Sequence, residues 1–183
     1  MTPFKFKEPI NLLCCTSTND IIKDLSSLEE GIVITSMIQT AGRGRNGNIW
    51  QSEVGGLYFS FLLKPPFSPK QNEALSKLTG LVLRDILVAY SKSKIIQFKE
   101  PNDILINGKK VAGILIEAKV AEEKNIYIIV GIGVNISNEV SPLATSLKNE
   151  GIAGVSREEL LNAFLKAFEE TYNNWLSAIA INK

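Results

Sequence analysis

Asp103-Ile104-Leu105-Ile106-Asn107-Gly108-Lys109-Lys110-Val111-Ala112-Gly113-Ile114-Leu115 decides the fold class. Asn107-Gly108 lies between two apolar runs, and both residue types tolerate the positive φ that a two-residue hairpin turn requires. The stretch therefore predicts antiparallel strands over 103–106 and 111–120, which would bring Asp103 and Lys110 close enough to share a site. Working outward, 94–99 reads as a strand stopped at Pro101, and the apolar 125–136 continues the sheet. Upstream, the apolar run 10–15 is expected as a buried strand. Ser17-Thr18-Asn19-Asp20 suits the cap of a helix over 20–28, which Gly31 ends, and 32–34 starts a second strand. Residues 50–63 return as strand with an interruption at Gly55-Gly56. Ser68-Pro69 opens a helix to about Tyr90, whose Leu75, Leu78, Leu81, Val82, Ile86 and Leu87 form a core face. Ser156-Arg157-Glu158-Glu159 is a capping box before a helix reaching about Trp175. The order β-α-β-β-α-β-β-β-β-α, with hairpin links, predicts an α+β fold, a mixed and mostly antiparallel β-sheet covered by helices. Repeats, low-complexity segments and linkers are absent from the sequence, so 1–183 is expected to be a single domain.

The 183 residues carry 20 Lys+Arg against 19 Asp+Glu, a net charge of +1, with 45% hydrophobic and 21% charged residues. This is a globular composition with enough length for a core. The near-zero net charge argues against a nucleic-acid partner bound through bulk positive charge. There is no histidine, which removes the Ser-His-Asp triad, Cys-His pairs, His-ligated zinc and imidazole acid/base work. Chemistry must run on Lys, Arg, carboxylates, backbone amides or a bound metal. Cys14 and Cys15 are neighbours in an apolar run and would point to opposite faces of a strand. They are expected to be buried and unpaired, in a reducing compartment. The N-terminal residues show no secretory pattern, and no stretch reaches the ~18 apolar residues of a membrane span. The expected location is the cytoplasm, with no membrane partner.

Three polar interruptions carry the chemistry. Gly42-x-Gly44-x-x-Gly47 matches a dinucleotide fingerprint in form, but it runs into a strand-like segment rather than opening a helix, so a Rossmann reading fails. What remains is a glycine-rich loop bearing Arg43 and Arg45, whose guanidinium forks suit a carboxylate or phosphate. Lys99-Glu100-Pro101-Asn102-Asp103 gathers polar groups at one strand end, and the hairpin returns Lys110 beside them, a set suited to an anion held with a metal. Gly131-Ile132-Gly133-Val134-Asn135 places glycines in a central strand, where a close approach or a bulge is expected.

Gln39-Thr40-Ala41-Gly42-Arg43-Gly44-Arg45, Trp50, Gly55-Gly56-Leu57-Tyr58, Pro101-Asn102-Asp103, Lys110-x-x-Gly113-Ile114-Leu115-x-Glu117 and Gly131-Ile132-Gly133-x-Asn135 occur in this order. Together they resemble the catalytic domain of biotin protein ligase (biotin–[acetyl-CoA-carboxylase] ligase), over roughly 17–135. The resemblance implies a two-step reaction. Biotin and ATP would give biotinyl-5′-AMP and pyrophosphate, and a lysine of a biotin carboxyl carrier protein would then take the biotin and release AMP. By resemblance, Ser17, Thr18, Asn19, Gln39, Gly42, Arg43, Lys110 and Gly113 would contact biotin. Arg45, Trp50, Asn102, Lys110 and Asn135 would contact the nucleotide, with Trp50 covering the adenine. Lys110, Arg43, Arg45 and Asp103 would be catalytic, with Asp103 orienting Mg²⁺ or the incoming amine. No metal ligand set can be named, and the protein would be a monomer or a homodimer.

The chain also departs from the family pattern. Asn46 and Asn48 stand where arginines are usual, and losing the second predicts looser retention of the adenylate by about 1.5–3 kcal/mol. Glu100 stands where Trp is usual before Pro101, removing apolar area beside the ligand and adding negative charge there. The chain ends soon after Trp175, so the expectation is a catalytic domain without the small C-terminal β domain or the N-terminal DNA-binding helix-turn-helix. Two other readings stand beside it: a lipoate or octanoyl-type ligase of the same fold, against which the arginine-bearing glycine loop followed by Trp50 weighs, and a degenerate biotin or adenylate binder with little transfer activity.

Overall fold

Strand pairing is organised around the hairpin marked by Asn107-Gly108. β5 (Asp103–Ile106) and β6 (Lys109–Val120) pair antiparallel across Asn107 at φ 50° and Gly108 at φ 83°. In the computed structural model, which describes residues 2–25, 29–65, 72–91, 94–120 and 126–181, β6 pairs on its other side with β7 (Ile126–Val134). The sheet continues through β3 (Leu57–Leu63) and β2 (Val33–Gln39) to β1 (Ile10–Cys15) at one edge. β4 (Ile96–Lys99) forms the other edge against β5. The order is β1-β2-β3-β7-β6-β5-β4, antiparallel except where β1 runs parallel to β2. Helices α1 (Thr18–Asp24), α2 (Asn72–Tyr90) and α3 (Arg157–Ile181) complete the expected element order.

Alternation along the strands gives the sheet two unlike faces. On one, Phe59, Phe61 and Leu63 of β3 and Ile128, Val130 and Ile132 of β7 meet Leu83 and Leu87 of α2 and Phe164 and Phe168 of α3. The rings of Phe61 and Phe168 meet edge-on at 4.9 Å, and those of Phe59 and Phe164 at 5.3 Å. Each such ring buries about 150–250 Å², which makes this side the main source of stability. On the other face, Ile34, Leu62 and Ile129 pack on Ile22 of α1. Further along this face the side chains shrink to Ser60, Gly131, Gly133 and Gly113. The register sets Ser60 opposite Gly131 and Gly113 opposite Gly133. The result is a trough on the sheet.

Several boundaries differ from the sequence reading. β1 is not buried: it is the sheet's edge strand with a neighbour on one side only, Ile10 and Leu13 are 48% and 79% exposed, and Cys14 is exposed beside a half-buried Cys15, both thiols free. α1 starts at Thr18 and ends at Asp24, where Leu25 turns extended. Residues 50–56 are a loop tied to β2 by the Gln39–Ser52 bridge, so β3 begins only after Gly55-Gly56. The Ser68-Pro69 opening of α2 lies outside the described residues. The capping box is present, Ser156 Oγ accepting from Glu159 N–H at 3.1 Å while Glu159 accepts from Ser156 N–H at 3.2 Å, and α3 runs past Trp175.

Candidate functional site

The floor of the trough is polar. Thr18 and Asn19 open α1 directly after β1, and both are 3% exposed because they face the sheet. Thr18 Oγ1 lies 2.6 Å from Ser60 Oγ, which donates to Asn19 Oδ1 at 2.5 Å. Gln39 closes the cluster, accepting from the Thr18 backbone N–H at 2.8 Å and donating to Ser52 Oγ at 2.8 Å. Ser17 stands at the N-cap position without a side-chain capping bond. The Asn19 carboxamide lies so close over Gly131 that a Cβ there would overlap it.

A charged network forms one wall. Glu117 of β6 accepts from Asn19 Nδ2 at 2.6 Å, Lys23 Nζ at 2.6 Å and Arg43 Nη2 at 3.1 Å. Arg43 Nη1 also pairs with the Asp20 carboxylate. Burial alone would push Glu117 up, but the bonds from Asn19 and Lys23 and the charges of Lys23 and Arg43 hold it below the usual carboxylate range. The hydrogen bond to Asp20 in turn holds Arg43 above its ordinary value. The glycine loop is folded on itself, with Gly44 N–H donating to the Asn48 carbonyl at 2.7 Å. Asn46 takes φ 57°, a left-handed conformation that asparagine tolerates well.

Trp50 and Lys110 meet where β6 and β7 present their glycines. The indole lies against Gly113 and Gly133, where a Cβ on Gly133 would overlap the ring and one on Gly113 would come within 3.0 Å of it. Lys110 Nζ sits 5.2 Å from the centre of that ring and 2.7 Å from Asp103 Oδ1, an ion pair not aligned as a hydrogen bond. The Trp50 Nε1–H is buried with no acceptor among the described residues. Trp50 and Lys110 line two clefts at once. The first runs over the polar floor with Thr18, Gln39, Arg43 and Gly113, and it holds only about 40 Å³ of open space. The second, with Gln51, Asn135, Asn138 and Ala144, holds about 440 Å³. Small-molecule pockets run to about 300–1,000 Å³, so the first cleft is narrow in this conformation, with the Trp50 indole lying on its glycines.

Comparison with known proteins places this geometry. The profile of the Biotin/lipoate A/B protein ligase family matches residues 12–135. The chain belongs to this family. It is 33% identical to the biotin–[acetyl-CoA-carboxylase] ligase of Paracoccus denitrificans, over 90% of this chain and 78% of that one. It is 32% identical to the bifunctional ligase/repressor BirA of Bacillus subtilis over 81% of this chain, but spans only 48% of that protein's length. Among solved structures, the biotin protein ligase of Aquifex aeolicus in complex with biotin and ATP superposes with a TM-score of 0.80 at 32% identity, covering 94% of this chain and 73% of that one. The fold is the catalytic fold of biotin protein ligases.

In this member of the ligase family most of the expected residues converge. Ser17, Thr18, Asn19, Gln39, Arg43, Lys110 and Gly113 line the first cleft. Gly42 does not; it packs behind the loop, where a Cβ would overlap the Trp50 carbonyl. Of the expected nucleotide contacts, Trp50, Lys110 and Asn135 line the second cleft, while Asn102 faces the first and ties its Nδ2 to the Ile114 carbonyl at 2.9 Å. Arg45 is exposed on the loop, 3.4 Å from Asn102 Oδ1. Asp103 lies outside both clefts, beside Lys110. Glu100 does not add charge beside the site: it is exposed and pairs with Lys77 on α2 at 2.7 Å. Ser60 and Asn138 were not legible as site residues, although a lone hydroxyl within Leu57-Tyr58-Phe59-Ser60-Phe61 is a signal. Among the described residues no three His, Cys, Asp or Glu side chains come together.

Proposed function

We propose that this chain is an ATP-dependent biotin protein ligase that forms biotinyl-5′-AMP and then biotinylates a lysine of a biotin carboxyl carrier protein. The observation that carries the reading is the meeting of two clefts at one ammonium group: Lys110 lines both the polar-floored cleft and the wider one beside it. Biotin would enter the first with its ureido ring on Thr18, Asn19, Gln39 and Ser17 and its carboxylate toward Lys110. ATP would take the second, its base along Trp50 and its α-phosphate at the junction. Trp50 must swing off Gly113 and Gly133 for the two to meet.

The chemistry needs cations and placement more than a nucleophile. Two unit charges about 4 Å apart repel by roughly 4 kcal/mol near a protein surface, and an ammonium between carboxylate and phosphate offsets this. The carboxylate oxygen attacks the α-phosphorus, the bond to the bridging oxygen breaks, and pyrophosphate leaves. The carrier amine then attacks the acyl carbon, loses its proton and expels AMP. Arg43, already paired with Asp20 and Glu117, holds the loop wall against α1, while Lys110 stands at the junction of the clefts and the exposed Arg45 would turn in from the loop toward the phosphates. Mg²⁺ would arrive with the triphosphate, held mainly by phosphate oxygens, and would supply charge neutralisation on the leaving pyrophosphate; Asp103, outside both clefts, would act through its ion pair with Lys110. We read 1–183 as one catalytic unit, monomeric or homodimeric and cytoplasmic. Pyrophosphate release tests the reading: release that requires biotin and ATP together and is not supported by lipoate agrees with it, and lipoate-dependent release overturns it.

A further inference from the structure

Glu117 lines neither cleft, yet three consecutive hydrogen bonds join it to Thr18 on the floor of the first. Its carboxylate accepts from Asn19 Nδ2 at 2.6 Å. A carboxylate only accepts, so the Asn19 carboxamide must turn its nitrogen to Glu117 and its oxygen the other way. Lys23 and Arg43, which also donate to Glu117, supply the compensating charge and keep it an acceptor. The Asn19 oxygen, for which Gly131 makes room, accepts from Ser60 Oγ at 2.5 Å. A hydroxyl has one proton, so in the 2.6 Å contact between Ser60 and Thr18 the proton comes from Thr18. Gln39 does not alter this. Its oxygen is fixed by the Thr18 backbone N–H at 2.8 Å and its nitrogen by Ser52 at 2.8 Å, so it offers Thr18 Oγ1 an oxygen and no proton. The direction of the whole chain is set at Glu117, and the Thr18 hydroxyl keeps only lone pairs for what enters the cleft.

We propose that Glu117 is a positioning residue for the floor of the first cleft: through Asn19 and Ser60 its carboxylate orients the Thr18 hydroxyl as an acceptor, so that the floor takes a ligand N–H. The inference rests on the reading of that cleft as the biotin site. A cyclic urea brings two N–H groups to such a floor, whereas the dithiolane ring of lipoate brings none. Reversing the chain would turn the Thr18 hydroxyl into a donor and set it against the ureido N–H. Glu117 acts from behind Asn19 and touches no substrate.

The test is calorimetric titration of the full chain with biotin and, separately, with MgATP. Glu117→Gln sets an NH₂ against the Asn19 NH₂ and removes the acceptor that orients it, so biotin should bind about 10-fold or more weakly. Adding Asn19→Asp puts a carboxylate opposite the new NH₂, restores an acceptor for the Ser60 hydroxyl, and should recover most of that loss. MgATP affinity should stay within about twofold throughout, since the second cleft shares no member of the chain, whereas a general structural defect would weaken both ligands. Wild-type biotin affinity in Glu117→Gln, a double variant no better than the single one, or an equal loss of MgATP affinity overturns the proposal. Where Glu117→Gln is too unstable to titrate, the double variant is set against Asn19→Asp alone, whose two facing carboxylates should bind biotin more weakly; equal affinities there also overturn it. Biotin binding indifferent to the variants counts against the proposal alone, while a wild type that binds MgATP but no biotin overturns the ligase reading with it.

Discussion

Replacing Glu117 by Gln tests how the charged wall is held. Its two carboxylate oxygens accept from Asn19, Lys23 and Arg43, all of them donors, at 2.6, 2.6 and 3.1 Å. A glutamine presents one NH₂ against a donor and loses the charge that strengthens the others. Hydrogen bonds to charged groups contribute roughly 1.5–3 kcal/mol against about 1 for neutral ones, and the partial exposure of Lys23 and Arg43 lowers that gain. Two weakened bonds and one donor set against a donor sum to about 2–4 kcal/mol. For a chain of this size that is a fall of roughly 5–15 °C in melting temperature at pH 7. The pH dependence follows from the lowered folded-state value. The stability due to Glu117 is fully present above its ordinary value of 4.5 and is lost as the pH falls through the lower folded value. Thermal unfolding followed by circular dichroism, at pH 7 and again in acid below that value, should show the variant well below wild type at neutrality and the gap narrowing in acid. A neutral-pH difference under ~1 °C, or a gap independent of pH, would refute the reasoning.

Other expectations follow from the same geometry. Lys110→Ala should lower adenylation by orders of magnitude while the melting temperature moves only a few degrees, since the pair with Asp103 is about one-third exposed; pyrophosphate kinetics beside a melting curve check both. Ser60→Ala removes the hydroxyl joining Thr18 and Asn19 with little change in volume, and should raise the KM for biotin about 10-fold or more with little change in the KM for ATP. Ser156→Ala opens the capping box of α3, remote from the clefts, and should lower the melting temperature by roughly 2–4 °C, for a loss of about 1 kcal/mol, with kcat unchanged.

The element order was readable because each signal is local: Asn107-Gly108 for the hairpin, the capping box for α3, continuous apolar runs for β3 and β7. The trough was readable in part, since Gly131 and Gly133 mark a central strand that admits something close, although what approaches them, Asn19 and Trp50, comes from far along the chain. Ser60 escaped for the same reason: its partners Thr18 and Asn19 are 42 and 41 residues away and on another element. β1 misled because Ile10 to Cys15 are apolar enough for a core, and only the strand order puts them at an edge. Arg43 was expected free for an anion, and pairwise spacing gave no sign that Asp20 and Glu117 would both take it.

The central claim is that this chain attaches biotin to a carrier. Mass spectrometry of a biotin carboxyl carrier domain incubated with the protein, MgATP and biotin, with lipoate in parallel, tests it directly. A mass gain of one biotinyl group, on the carrier lysine and only in the biotin reaction, is the predicted result. An unmodified carrier, or a lipoyl gain in its place, would contradict it.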